Sequence, residues 1–185
     1  MQKNQNIAIF ASGTGTTLQA LIDNQPLYGY RVSLVVVNRK CQAIDRATAH
    51  HIVTLQSKDW VEIDKALTDN QIQLIVLAGF LAIIPEWICT KWVHRIINIH
   101  PSLLPKHGGR GMYGIRVQEA VLAAGDKEAG CTIHYVSAEV DGGNIIAQAT
   151  ISVLPDDTPD TLSQRVQQQE KEILPRTIDT ILHNY

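Results

Sequence analysis

Four groups of polar residues in this 185-residue chain are placed so that they could do chemistry. The densest lies in Ile96-Ile97-Asn98-Ile99-His100-Pro101-Ser102-Leu103-Leu104-Pro105. Successive side chains of a strand alternate between faces, so Asn98 and His100 point one way while Ile97 and Ile99 point the other way into packing. Pro101 cannot extend a central ladder, so the strand ends there and His100 comes to its carboxyl end. In open α/β sheets that edge is where ligands bind. An amide offers donors and an imidazole a tunable acid or base. Taken alone, Asn-x-His also reads as a core histidine beside a turn-capping asparagine; the surrounding motifs decide between the two.

The second group is Ser12-Gly13-Thr14-Gly15-Thr16-Thr17, between the apolar run Ile7–Ala11 and the helical stretch Leu18–Ile22. A strand, a glycine turn and a helix N-terminus together present free backbone N–H groups and a helix dipole to a phosphate. Two nucleotide-binding forms of this arrangement are excluded. The dinucleotide fingerprint needs a third glycine where Leu18 stands and an acidic residue where Asn38 stands, and the P-loop needs a lysine that is absent. The third group, Asp141-Gly142-Gly143, is ordinary hairpin chemistry in isolation. The fourth is Glu170, which interrupts the apolar i, i+4 stripe of Leu162, Val166 and Leu174 and has Gln167 beside it. A carboxylate on such a face needs either a partner, such as a core arginine, or a ligand.

These groups must be held by elements legible in the hydrophobic pattern. Continuous apolar runs at Ile7–Ala11, Val32–Asn38 and Ile72–Ala78 suit strands buried on both faces. Further strands are expected at Ile52–Leu55, Ile96–His100 and Ile145–Ala149. Cys131–Val136 alternates like a half-buried strand. Helices are expected at Ala43–His50, Asp59–Asn70, Glu86–Val93 and Val117–Ala124, the last stopping at Gly125. A final helix starts at Thr158 with Pro159 in its first turn, and Pro175 is expected to kink or restart it. Strand–helix alternation of this kind predicts a single doubly wound, mostly parallel α/β sheet with helices on both faces. One domain is expected over 1–185.

Composition narrows the function classes. Hydrophobic residues make up 45% and charged residues 18%, and the net charge is −2 without a basic block. Binding along a nucleic acid would call for a Lys/Arg stripe, so no nucleic-acid partner is expected. No run approaches the roughly 18 apolar residues of a membrane helix, and the amino terminus lacks a signal-peptide core. Cys41, Cys89 and Cys131 are far apart and odd in number, which fits reduced thiols in a cytoplasmic protein. The seven histidines form no metal-ligand spacing, so no metal is expected.

The stretch Asn98-x-His100-Pro101-Ser102-Leu103-Leu104-Pro105 resembles the signature of the 10-formyltetrahydrofolate-dependent formyltransferases. The resemblance runs from about Ile7 to Pro175. The amino-terminal loop is similar to the phosphate loop of the branch that acts on 5'-phosphoribosylglycinamide (GAR), with Thr16 and Thr17 in place of Ser and Asn. Arg165-Val166-Gln167-Gln168-Gln169-Glu170 resembles that branch's substrate helix. The resemblance implies a Rossmann-like fold and formyl transfer from 10-formyltetrahydrofolate to GAR in purine biosynthesis, by a monomer or homodimer. It implies Asn98, His100 and Asp141 as catalytic residues. Gly13, Thr14, Gly15, Thr16, Thr17, Gln167 and Glu170 would take GAR. Leu81, Ala82, Ile83, Ile84, Asn98, Val140 and Asp141 would take the folate. The single domain would then have a phosphate-binding half at about 1–95 and a folate-binding and catalytic half at about 96–185. On this reading Asp141 should raise the His100 pKa. The glycine-rich 106–114 loop resembles a variant found in one subgroup, where His-Val-His follows; here Arg116-Val117-Gln118 stands instead, removing any role for those histidines. Two rivals stay open: a formyltetrahydrofolate hydrolase, and a non-catalytic folate- or phosphate-binding relative.

Overall fold

A computed structural model describes residues 5–183. In chain order the elements are β1 (Gln5–Ala11), α1 (Thr16–Asn24), a 3₁₀ turn (Gln25–Leu27), β2 (Tyr30–Val37), α2 (Gln42–Ala49), β3 (Val53–Gln56) and α3 (Trp60–Asp69). There follow β4 (Leu74–Leu77), α4 (Glu86–Lys91), β5 (Ile96–His100), α5 (Ile115–Ala123), β6 (Glu128–Tyr135), β7 (Ile145–Ser152) and α6 (Pro159–His183). The seven strands form one sheet in the order β3-β2-β1-β4-β5-β6-β7. The first five are parallel, while β6 and β7 are antiparallel to their neighbours.

Strand alternation divides the core into two layers. Ile7, Ile9, Val35, Val37, Val76, Ile97 and Ile99 pack on one face against residues of α1, α2, α5 and α6. Ala8, Phe10, Leu34, Val36, Ile75, Leu77 and Ile96 pack on the other against α3 and α4. Strand order reverses direction at β1, whose neighbours are β2 and β4. The chain leaves β1 toward one side of the sheet and later enters β4 from the other, so their carboxyl ends leave a crevice. The Gly13–Thr17 turn and the segment after β4 both border it.

Two elements differ from expectation. β6 is buried on both faces from Ala129 to His134, rather than half-buried. It lies between β5 and β7, so its polar positions Thr132 and His134 face the interior, although their alternation with apolar residues resembles a solvent-facing edge. α6 continues through Pro175 instead of restarting there. A mid-helix proline costs about 3 kcal/mol. Burial of Leu174, Ile178, Ile181 and Leu182, together with Pro175 itself, offsets that cost.

Candidate active site

β5 ends as its pattern requires, with Ile97 and Ile99 in the core and Asn98 and His100 turned toward the crevice. The turn that follows is fixed from two sides. Gln118 donates from Nε2 to the Pro101 carbonyl at 2.8 Å, and the Thr132 hydroxyl donates to the Ser102 carbonyl at 2.6 Å. Gln118 therefore holds the residue next to His100, a structural task at the place where the subgroup has histidine.

His100 and Asp141 meet across this turn, with Nδ1 and Oδ2 3.5 Å apart. The other imidazole nitrogen, Nε2, lies 2.9 Å from the His107 carbonyl. A carbonyl can only accept, so Nε2 carries the proton, and in neutral His100 the Nδ1 lone pair faces Asp141. His134 brings a second imidazole to the same place. Its Nδ1 donates to the Tyr135 carbonyl at 2.9 Å, which leaves Nε2 to accept from Asn98 Nδ2 at 3.1 Å. The Asn98 amide is thereby oriented, with one N–H engaged and the other free of protein partners among the described residues. His134 Nε2 also stands 3.6 Å from Asp141 Oδ1.

Burial lowers the His100 pKa below its ordinary value; the His107 carbonyl and Asp141 pull it up, but not enough to compensate. Asp141 thus acts in the expected direction, but burial outweighs it and the net shift is downward. Asp141 loses solvent too, which pushes its pKa up, yet the Gly109 N–H donating to Oδ2 at 2.9 Å, together with the proton and charge that His134 and His100 can carry, holds it below the ordinary value. At neutral pH the pair is therefore a carboxylate beside a neutral imidazole, with room for one proton between them. Asp141 adopts a φ of 55°, a left-handed conformation that aspartate tolerates better than most residues.

The amino-terminal turn is held from behind. The carbonyls of Ser12, Gly13 and Thr14 accept from Arg39 Nε, the Ala43 N–H and Arg46 Nε, respectively. Among the described residues the N–H groups of 13–17 make no hydrogen bond, and no side chain caps α1. With its carbonyls turned back and its amides unpaired, the loop has the geometry that anion-binding helix N-termini present. The Ser12 hydroxyl donates to Asn38 Oδ1 at 2.8 Å and accepts the Leu81 N–H at 3.0 Å, so it links this loop to the segment after β4. That segment carries Leu81 and Ile83 exposed, Ala82 half-buried and Ile84 buried in the core. Phe80 anchors it edge-on to Phe10 and Trp60.

One cavity of about 650 Å³ joins all of these. It is lined by Gly13, Thr14, Gly15, Thr16 and Thr17, by Leu81, Ala82, Ile83 and Ile84, by Asn98, His100, Val140 and Asp141, and by Gln167 and Glu170. Residues 13–17 and 81–84 of this lining come from the first half of the chain, and Asn98, His100, Val140, Asp141, Gln167 and Glu170 from the second. Glu170 is buried, with 8% exposure, and burial pushes its carboxyl up to about 7. Among the described residues it has no hydrogen bond or ion pair. The motif's arginine is engaged elsewhere: Arg165 pairs with Asp157 at 2.7 Å and donates to the Ser152 carbonyl. Sequence reasoning missed His134, the Gly109 N–H and the His107 carbonyl. For His134 a signal existed, a histidine in phase with Thr132 on a strand near the motif, but only the register placing it opposite Asn98 gives it meaning.

Residues 5–178 match the formyl transferase family. A crystal structure of phosphoribosylglycinamide formyltransferase from Anaplasma phagocytophilum superposes with a TM-score of 0.91 at 36% identity, over 98% of this chain and 89% of that one. The chain is 39% identical to a trifunctional purine biosynthetic protein adenosine-3 of Drosophila melanogaster, over 98% of this chain but 14% of that protein. It is 32% identical to a chloroplastic phosphoribosylglycinamide formyltransferase of Arabidopsis thaliana, over 97% of this chain and 66% of the relative. It thus spans less than two thirds of these two relatives. A formyltetrahydrofolate deformylase from Pseudomonas syringae shares the fold, with a TM-score of 0.88 at 24% identity. The chain belongs to the formyl transferase family. Within that family it belongs with the phosphoribosylglycinamide formyltransferases.

Proposed function

We propose that this protein transfers the formyl group of 10-formyltetrahydrofolate to the amine of 5'-phosphoribosylglycinamide, giving formyl-GAR and tetrahydrofolate in de novo purine (IMP) biosynthesis. One observation carries the reading: a single cavity joins an unpaired amide cradle, an apolar wall and the Asn98–His100–Asp141 cluster. The cradle at 13–17 suits the phosphate of GAR, and Glu170 with Gln167 suits its ribose hydroxyls. Leu81, Ala82, Ile83, Ile84 and Val140 suit the folate ring. The volume falls within the usual range for small-molecule sites.

The geometry supports direct acyl transfer without a covalent enzyme intermediate. The amine nitrogen attacks the formyl carbon, and the carbonyl oxygen becomes an oxyanion. The free N–H of Asn98, already oriented by His134, donates to it; losing such a donor costs roughly 3–4 kcal/mol. The amine proton passes to the His100–Asp141 pair, whose Nδ1 and Oδ2 stand 3.5 Å apart, and a proton is delivered to N10 as the C–N10 bond breaks. Because His100 is neutral before the reaction, it acts as a proton acceptor and not as a standing positive charge. The free thiols Cys41, Cys89 and Cys131 are compatible with a cytoplasmic location.

Assaying tetrahydrofolate release with and without GAR tests the reading. Release should require GAR and match formyl-GAR formation. Release without GAR would make the protein a hydrolase, and binding of both ligands without release would make it a non-catalytic relative.

A further inference from the structure

Both substrates of the proposed reaction are anionic, one through a phosphate and the other through the carboxylates of the folate tail. The cavity that would receive them is lined by three carboxylates, Glu139, Asp141 and Glu170. Among the described residues that line it, Arg110 is the one lysine or arginine. It makes no hydrogen bond or ion pair among the described residues. Arg46, behind the amino-terminal turn, is already engaged by the Thr14 carbonyl and Gln19 Oε1, and Arg116 lies over the Tyr113 ring at 5.2 Å.

The backbone beside Arg110 is bonded to the catalytic pair. His107 accepts from His100 Nε2, and the Gly109 N–H donates to Asp141 Oδ2, each at 2.9 Å. Gly109 and Gly111 flank Arg110 with φ of 93° and 85°, and a Cβ at either would meet nothing within 4 Å. Backbone conformation, not crowding, therefore calls for glycine at these two places. Arg110 thus sits on a turn that branched residues would distort and that is anchored on one side to His100 and Asp141.

We infer that Arg110 is a substrate-binding residue that pairs with an oxyanion of GAR or of the folate tail, and that this pairing steadies the His107 and Gly109 bonds to His100 and Asp141. The inference rests on the formyl-transfer reading. A guanidinium suits either anion, because it offers paired donors to two oxygens of one phosphate or carboxylate. Arg110 supplies the positive charge that the acidic lining of the cavity otherwise lacks.

The test is steady-state kinetics of the wild type, Arg110→Gln and Arg110→Lys, with the melting temperature measured on each. Arg110→Gln should raise one Michaelis constant ten- to hundredfold and lower kcat severalfold, with an unchanged melting temperature. Arg110→Lys should recover much of the affinity. Added salt should weaken the affected substrate for the wild type and much less for Arg110→Gln. A rise confined to GAR assigns the phosphate. A rise confined to the folate assigns the tail, and then a donor with both glutamate carboxylates blocked as methyl esters should bind wild type and Arg110→Gln equally. If wild type turns over in a GAR-dependent way and Arg110→Gln keeps both constants within twofold, Arg110 is not a binding residue, and the formyl-transfer reading stands. If wild type shows no GAR-dependent turnover, that reading falls and takes this inference with it.

Discussion

The two polar ends of the cavity are built in opposite ways. At the Gly13–Thr17 turn the ligand-facing groups are backbone amides, and the support comes from carbonyls turned back onto Arg39, Ala43 and Arg46. At the carboxyl end of β5 the ligand-facing groups are side chains drawn from β5, β6 and the turn before β7, and each is oriented by another side chain, a carbonyl or a backbone N–H. A backbone receptor needs only local conformation, so substitutions such as Thr16 and Thr17 leave it intact. A side-chain cluster needs correct strand register, and it tunes protonation through burial. On the proposed reading the first end binds an anion, and the second also moves a proton.

Breaking the side-chain cluster should have the largest effect. His100→Ala and Asp141→Asn should each lower kcat at least a hundredfold with the fold retained, as measured by turnover and circular dichroism. Near-wild-type turnover in either variant would remove that residue from the chemistry.

At the backbone end, the two glycines should separate. Gly13 has open space where a side chain would go, so Gly13→Val should fold and raise the Michaelis constant for GAR about tenfold or more while leaving the folate constant alone. Gly15 has a φ of 70°, and its added Cβ would lie 2.9 Å from the Ala43 Cα. Gly15→Val should therefore cost roughly 1–3 kcal/mol of stability, read as a lowered melting temperature. Equal loss of both ligands in Gly13→Val would undo the assignment of this loop to phosphate.

Glu170 lines the same cavity. Glu170→Gln should weaken GAR about tenfold, the loss of one charge-assisted hydrogen bond. Its pKa of about 7 adds a pH signature. GAR affinity should fall as pH drops below about 7 and the carboxylate takes up a proton, and this limb should be missing in Glu170→Gln. Stability runs the other way. A carboxyl whose folded pKa is raised stabilises the fold below its ordinary value of 4.5, and that contribution is lost as pH rises through about 7. The melting temperature of Glu170→Gln should accordingly gain on wild type between pH 5 and pH 8. The smallest effect is expected from His100. With a pKa below 6.5, it should leave kcat flat through neutral pH and lower it only on the acid side as the imidazole takes up a proton.

What the chain alone determined is what neighbouring residues can enforce. Pro101 ends β5 at His100, the alternation of Ile97 and Ile99 turns Asn98 and His100 to one face, and Ser12–Thr17 makes a turn with free amides. The periodicity of Leu162, Val166 and Leu174 likewise carries Glu170 inward. These follow from covalent geometry and side-chain period, which act over a few residues. Tertiary structure decided everything that depends on residues far apart in the chain. The β5–β6 register sets His134 opposite Asn98 and so orients the amide. Asp157 and the Ser152 carbonyl engage Arg165, so Glu170 is left to the cavity. α2 packs behind Gly15, which leaves Gly13 as the glycine with open space. The sign of the His100 shift was also decided there, because burial and Asp141 act in opposite directions and only the packed surroundings say which is larger.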